Sequence, residues 1–215
     1  MAGKSFVVFG LGSFGNSVAV NLCQNGCEVL AIDVNEERVQ NIADQVTYAV
    51  TGNVIDPAIY ETMGIGDMDG AIVAISDHTE ASIMATIQAK EAGIPYVLAK
   101  AKDPIHAKVL RKVGADHVIF PESEMGSRVA KNMVFGKFID TFELSSDFSM
   151  VEMKVPSEWV GKTLKELDVR GRYKINIVGV RQGTQFHVVL DPDEPLQSDQ
   201  VLLAVGNNEK LKKLT

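Results

Sequence analysis

Between Ser5 and Glu122, short runs built almost wholly of apolar and β-branched side chains alternate with longer amphipathic stretches, and no other feature constrains the fold of this chain as tightly. A strand that offers no polar face to water must be covered on both sides, which is the condition of a parallel sheet flanked by helices. Such runs occupy residues 6–9, 29–32, 48–50, 71–75, 96–99 and 117–120. In the first interval Phe14, Val18 and Leu22 recur at helical spacing, and Gly26 follows where a helix usually closes. Residues 80–92 run into Gly93 and Pro95, and Pro104 opens a stretch that stops at Gly114. The pattern predicts an α/β fold, a Rossmann-like doubly wound parallel sheet.

After Pro121 the pattern changes. A helix is expected over 123–135, with Met125, Val129, Met133 and Val134 along one side that no further parallel strand requires, so it should leave the sheet as a crossover. Short strand-like runs follow at 150–155, 175–180, 186–190 and 201–205, separated by turn signals at Gly183, at Asp191-Pro192 and over 197–199. These predict a second, smaller α+β domain. Residues 144–148, with Ser145, Ser146 and Asp147, read as the linker, which places the domains at 1–138 and 147–215.

Composition narrows the function classes. The 215 residues are 46% hydrophobic and 23% charged, which excludes disordered and fibrous chains. A net charge of −7 repels a polyphosphate backbone, so no nucleic-acid partner is expected. No apolar run approaches the roughly 20 residues that span a bilayer, and the N-terminus enters a strand pattern without a cleavable signal, so a soluble intracellular protein is expected. Cys23 and Cys27 fit neither the CxxC redox spacing nor a structural zinc site, and are expected to be reduced thiols. His78, His106, His117 and His187 lie far apart in sequence, without metal-ligand spacing or a partner nucleophile. No catalytic residue is assigned, and binding without turnover is expected.

The chemistry gathers where strands end. Directly after the first strand stands Gly10-Leu11-Gly12-Ser13-Phe14-Gly15, a GxGxxG that opens the first helix. Gly10 permits a tight turn, Gly12 lets backbone approach a pyrophosphate, and Gly15 allows close helix–strand packing, while helix N–H groups favour anionic phosphates. Asp33 ends the second strand roughly 20 residues on, where a carboxylate accepts from ribose hydroxyls and repels a 2′-phosphate, so NADP is disfavoured. Other strand ends supply Gly52 and Asn53, Ser76 and Asp77, Lys100 and Lys102, and Glu122. Lys100 either neutralises phosphate or is an ordinary surface lysine. Glu122 requires a cation or another subunit between itself and any phosphate.

Taken together these residues resemble a known family, the cytosolic regulatory subunits of potassium uptake systems of the KtrA/TrkA type. Its members join an RCK (KTN) nucleotide-binding domain to a small C-terminal RCK domain. The carriers are residues 6–15, the run Ala31-Ile32-Asp33-Val34-Asn35-Glu36-Glu37-Arg38-Val39, residues 112–118 and Pro121-Glu122. In the C-terminal half they are residues 161–170 and Ile175-Asn176-Ile177-Val178, so the likeness covers essentially the whole chain.

The resemblance implies that the first domain binds ATP, ADP or NAD(H), and that homodimers assemble into an octameric ring against a membrane-embedded potassium-translocating subunit. It implies a cytoplasmic protein associated peripherally with the inner face of the cell membrane. It further implies that Asp33 and Asn35 hold the ribose, Arg38 lies by the adenosine, and Lys100 sits near the phosphates. Glu122 would reach the phosphate region across the dimer, in some members through a divalent cation. Many members carry arginine where this chain has Ser13, and a serine supplies neither the charge nor the fork that reads a terminal phosphate. In the small domain, several members bind cyclic di-AMP at a dimer interface. The matching positions are Arg170, Arg172, Ile175, Asn176, Ile177 and Pro192, with the alternative that the isoleucines form a core strand and the arginines are solvated. The expected function is a nucleotide-binding gating subunit without turnover. An NAD-dependent oxidoreductase is the alternative, and a redox-sensing transcriptional regulator, with the basic stretch 102–112 inside the sheet domain, ranks last.

Overall fold

A computed structural model describes residues 3–135 and 138–214, apart from the side chains at 131, 134, 135 and 138. Val134, expected on the apolar side of the long helix, therefore lies outside the described side chains. The chain divides into two compact units, one reaching Pro121 and the other starting at Glu122.

The first unit alternates strand and helix: β1 (Ser5–Phe9), α1 (Ser13–Gln24), β2 (Glu28–Asp33), α2 (Glu36–Ile42), β3 (Tyr48–Thr51), α3 (Ala58–Thr62), β4 (Gly70–Val73), α4 (Thr79–Glu91), β5 (Val97–Lys100), α5 (Pro104–Lys112) and β6 (His117–Ile119). All strand pairs are parallel, in the order β3-β2-β1-β4-β5-β6. The order reverses between β1 and β4, and that is where an open α/β sheet leaves a crevice beyond its strand ends.

The unbroken apolar runs have the cause expected of them. On β1, Val7 and Phe9 pack with Tyr60, Ala85 and Leu110 from α3, α4 and α5, while Val8 between them packs with Ala19, Val39 and Ile42 from α1 and α2. Successive side chains thus enter opposite layers, and burying each such side chain stabilises the fold by about 1.5–3 kcal/mol. Two helix starts are fixed locally: Asn35 accepts from the Arg38 N–H, and Asp103 accepts from the His106 N–H ahead of Pro104.

The second unit comprises α6 (Pro121–Phe135, from Glu122 on), β7 (Phe138–Glu143), β8 (Phe148–Lys154), α7 (Leu164–Leu167), α8 (Val169–Tyr173), β9 (Ile175–Gln182), β10 (Gln185–His187), β11 (Val201–Asn207) and α9 (Asn208–Leu211). Its strands form an antiparallel sheet in the order β10-β9-β11-β8-β7. Alternate residues of β8 and β11, among them Val151, Met153, Leu202 and Ala204, face a core closed by Trp159, Leu167, Val169, Ile175 and Leu211. The Trp159 and Tyr173 rings lie 5.4 Å apart within it.

Two expectations are corrected here. Residues 144–148 are no linker: Leu144 and Ser145 donate to the Phe148 carbonyl, closing the turn of the β7–β8 hairpin. The sequence hid β7 because its polar Asp140, Thr141 and Glu143 break the apolar run. The strand expected over 186–190 ends at His187, since the chain then turns through Asp191 toward α7, where the Pro192 carbonyl accepts from the Lys165 N–H. Val188 and Val189 are left exposed.

Candidate functional site

The crevice is built from its glycines upward. Gly10 has a φ of +90°, which disfavours a side chain, and its N–H donates to the Ile32 carbonyl at 2.8 Å. A Cβ at Gly15 would lie 1.9 Å from the Gly10 carbonyl oxygen, so only glycine lets α1 start this close to β1. Gly12 differs from both. It caps α1 in extended backbone, and a Cβ built there meets nothing within 4 Å. Open space therefore stands before the N-terminus of α1, where unpaired helix N–H groups favour an anion. Ser13 is exposed beside it, and Phe14 is half-buried.

Asp33 is only 5% exposed, and its carboxylate is already engaged. Oδ2 accepts from the Leu11 N–H at 2.6 Å, and Oδ1 accepts from the Asn35 N–H at 2.8 Å. Arg38 brings a guanidinium nitrogen to 3.5 Å from Oδ2 while remaining half exposed. One side chain thus ties the glycine loop after β1 to the start of α2. Each carboxylate oxygen has two lone pairs, so acceptor capacity is left for ribose hydroxyls. The Asn35 Oδ1 is occupied in capping α2 by the Arg38 N–H, which leaves its amide nitrogen to meet a ligand.

Lys100, at the end of β5, is no surface lysine. It is 7% exposed, with its ammonium 5.8 Å from the centroid of the Phe14 ring. An ammonium held out of water against an aromatic face is attracted to it and has a strong electrostatic pull on any phosphate that enters.

The other expected residues divide between contact and support. The Gly52 N–H donates to the Asp33 carbonyl, and a Cβ there would lie 2.3 Å from Ile59 Cδ1, so this glycine makes room for α3. Asn53 shapes the turn into α3, its Oδ1 accepting from the Ile55 N–H. Ser76 is half-buried just beyond β4. Glu122 lies in the first turn of α6, in the second unit. Among the described residues no group of three His, Cys, Asp or Glu side chains is placed to hold a metal ion.

In the second unit, the Arg170 Nε donates to the Asn176 Oδ1 at 2.8 Å, and Arg172 and Pro192 are exposed. Ile175 is fully buried in the core and Ile177 partly so. The helix carrying the two arginines is bracketed by Asp168 and Lys174, non-glycine residues at φ +43° and +59°.

Sequence reasoning missed His106. It is 2% exposed on α5, and its Nδ1 accepts from the Lys102 N–H at 3.3 Å, pinning the loop that follows Lys100. Burial pushes its pKa down, Asp103 works against this, and Lys102 adds to it. An isolated histidine without ligand spacing gives no signal of this kind; only its position, three residues after the capping Asp103, connects it to the loop.

The whole arrangement suits binding: acceptors for a diol, a helix end and a buried ammonium for phosphates. Comparison with known proteins identifies the family of both units. Residues 6–121 match the family model of the TrkA-N domain, and residues 149–215 that of the TrkA-C domain. The chain is 38% identical over 204 residues to the Ktr system potassium uptake protein C of Bacillus subtilis (strain 168), covering 95% of this chain and 92% of that one. It is 37% identical to the Ktr system potassium uptake protein A of Vibrio alginolyticus, covering 97% and 94%. Among solved structures, the GsuK channel bound to NAD superposes with a TM-score of 0.63 at 17% identity over 97% of this chain, which spans 38% of that longer chain.

Proposed function

Since the chain belongs to the family that joins a TrkA-N to a TrkA-C domain, we propose that it is the nucleotide-binding regulatory subunit of a potassium uptake system of the Ktr type. In this reading it works with a membrane-embedded potassium-translocating subunit, which this chain does not replace: no helix among the described residues is long and apolar enough to cross a membrane.

The observation that carries the nucleotide reading is the Asp33 carboxylate, buried at the end of β2 and bonded to the Leu11 amide beside the open space at Gly12. A ribose diol at Asp33 sets the attached phosphates toward the N-terminus of α1, with Lys100 and the Phe14 ring alongside. Adenine nucleotides with free ribose hydroxyls, ATP, ADP or NAD(H), fit this chemistry. Glu122 completes the phosphate end from a partner subunit, with a divalent cation between. The second unit is the dimerising RCK domain, with Arg170, Arg172 and Asn176 toward a cyclic di-AMP phosphate. Homodimers build an octameric ring on the cytoplasmic face of the membrane. Nucleotides act on the pore by binding one ring conformation more tightly than another, since a ligand shifts an equilibrium only by its difference in affinity between the two states.

The test is calorimetry of the purified chain with ATP, ADP, NAD and NADH, followed by potassium flux in vesicles carrying the membrane subunit. Saturable binding and a nucleotide-dependent flux support the proposal. Absence of binding, or steady oxidation of NADH with a small-molecule substrate, overturns it.

A further inference from the structure

Within the second unit, α7, β9, the residues after β10 and the approach to β11 enclose a cleft of about 170 Å³. Buried cavities of about 150 Å³ admit a molecule the size of benzene, so the space holds a ligand of roughly six to eight non-hydrogen atoms. Leu164, Val180 and Leu196 supply apolar wall, and Asp191 and Glu194 supply carboxylates, with no lysine or arginine among the lining residues. Gln200, also lining the cleft, is 7% exposed. Its Oε1 accepts from the Gln197 N–H at 2.9 Å, while its amide nitrogen has no partner among the described residues. These residues are separate from Arg170, Arg172 and Asn176, and their charge has the opposite sign.

We propose that this cleft binds a small organic ammonium ion with a short apolar body and a hydrogen-bond acceptor, of the amino-alcohol class. The ammonium meets Asp191 and Glu194, the methylene chain lies on Leu164, Val180 and Leu196, and the acceptor takes the Gln200 amide proton. A phosphate-bearing or carboxylate ligand is repelled by the same rim. The proposal does not depend on the nucleotide reading of the first unit.

The probe is 5-aminopentan-1-ol, titrated by calorimetry into the full chain at 150 mM salt, beside pentylamine, pentan-1-ol and pentanoate. Saturable binding is expected for the amino alcohol, weaker binding for pentylamine, at least tenfold weaker for pentan-1-ol, and none for pentanoate. Asp191→Asn combined with Glu194→Gln should weaken the amino alcohol at least tenfold, whereas Glu209→Gln, an exposed carboxylate on α9, should leave it unchanged. Both rim side chains are exposed, and the Asp191 carboxylate accepts from the Asp193 N–H, a bond that Asn retains, so folding is preserved. Absence of saturation, equal binding of pentan-1-ol, or an unaltered affinity in the double variant overturns the proposal.

Discussion

The Asp33 carboxylate accepts a 2.6 Å hydrogen bond from the backbone N–H of Leu11, twenty-two positions earlier in the chain. The acid that should read the ribose is therefore also the brace of the loop that should hold the phosphates. Asp33→Ala removes acceptors from two backbone N–H groups at once, those of Leu11 and Asn35. Unfolding free energy should fall by about 1–3 kcal/mol, and adenine-nucleotide affinity by at least tenfold. Denaturant melts and calorimetry read the two losses separately; an unchanged affinity removes the ribose role.

The glycines separate packing from binding. Gly15→Ala drives a methyl group into the Gly10 carbonyl and should lower the melting temperature markedly, with nucleotide binding lost. Gly12→Ala meets open space in extended backbone, so the melting temperature should hold while phosphate-bearing ligands bind less tightly. If Gly12→Ala binds ADP like the parent protein, phosphates do not lie over the start of α1.

Lys100→Met keeps most of the buried stem beside Phe14 and deletes the charge. Affinity for ADP and ATP should drop by about tenfold or more, and adenosine should be affected far less. An equal loss for all of them would assign Lys100 to support rather than to phosphate.

Ser13→Arg places a guanidinium on an exposed position at the start of α1. The ratio of ATP to ADP affinity should rise, because the fork engages the terminal phosphate. Competition calorimetry measures that ratio directly, and a constant value would show that position 13 is not read.

Arg128 binds Asp140 through two nitrogens, Asn132 adds a third bond at 3.1 Å, and the guanidinium stacks 4.5 Å over the Phe142 ring. The Arg128 hydrogen bond holds the Asp140 pKa down to about 2, against some opposition from partial burial and with help from Asn132 and the Thr141 amide. A carboxyl whose folded-state pKa lies below its unfolded value of about 4 stabilises the fold above that pH and ceases to as pH falls toward 2. The melting-temperature difference between the parent protein and Asp140→Asn should thus be constant above pH 5 and shrink between pH 4 and pH 2. A difference that does not vary over that range rejects the pairing.

Much of this was legible in the sequence because the first unit obeys local rules. Apolar runs such as 6–9 and 29–32 are strands buried on both faces, and the glycine spacing is dictated by close approaches such as that of Gly15 to the Gly10 carbonyl, where no Cβ fits. Asp33 stands out in the sequence by its place after a strand, but its bond to Leu11 does not, since backbone partners leave no trace in residue identity. The sequence leaves two roles open for Lys100 because burial of a lysine depends on a ring contributed by another element. The second unit was harder to read. An edge strand with Asp140, Thr141 and Glu143 is half polar, and its pairing to β8 is a long-range fact that hydropathy does not carry. The run 186–190 imitates a full strand for the converse reason: Val188 and Val189 are apolar yet exposed.

The β7–β8 hairpin bears on how the small half of the molecule can be isolated. A fragment cut at residue 149, where the TrkA-C match begins, would strip β8 of its outer neighbour and lay bare a row of amide and carbonyl groups ready to pair with other copies. Expression of the half on its own should start upstream of Phe138, or the preparation will report on clumped edges instead of the ligand chemistry it was made to study.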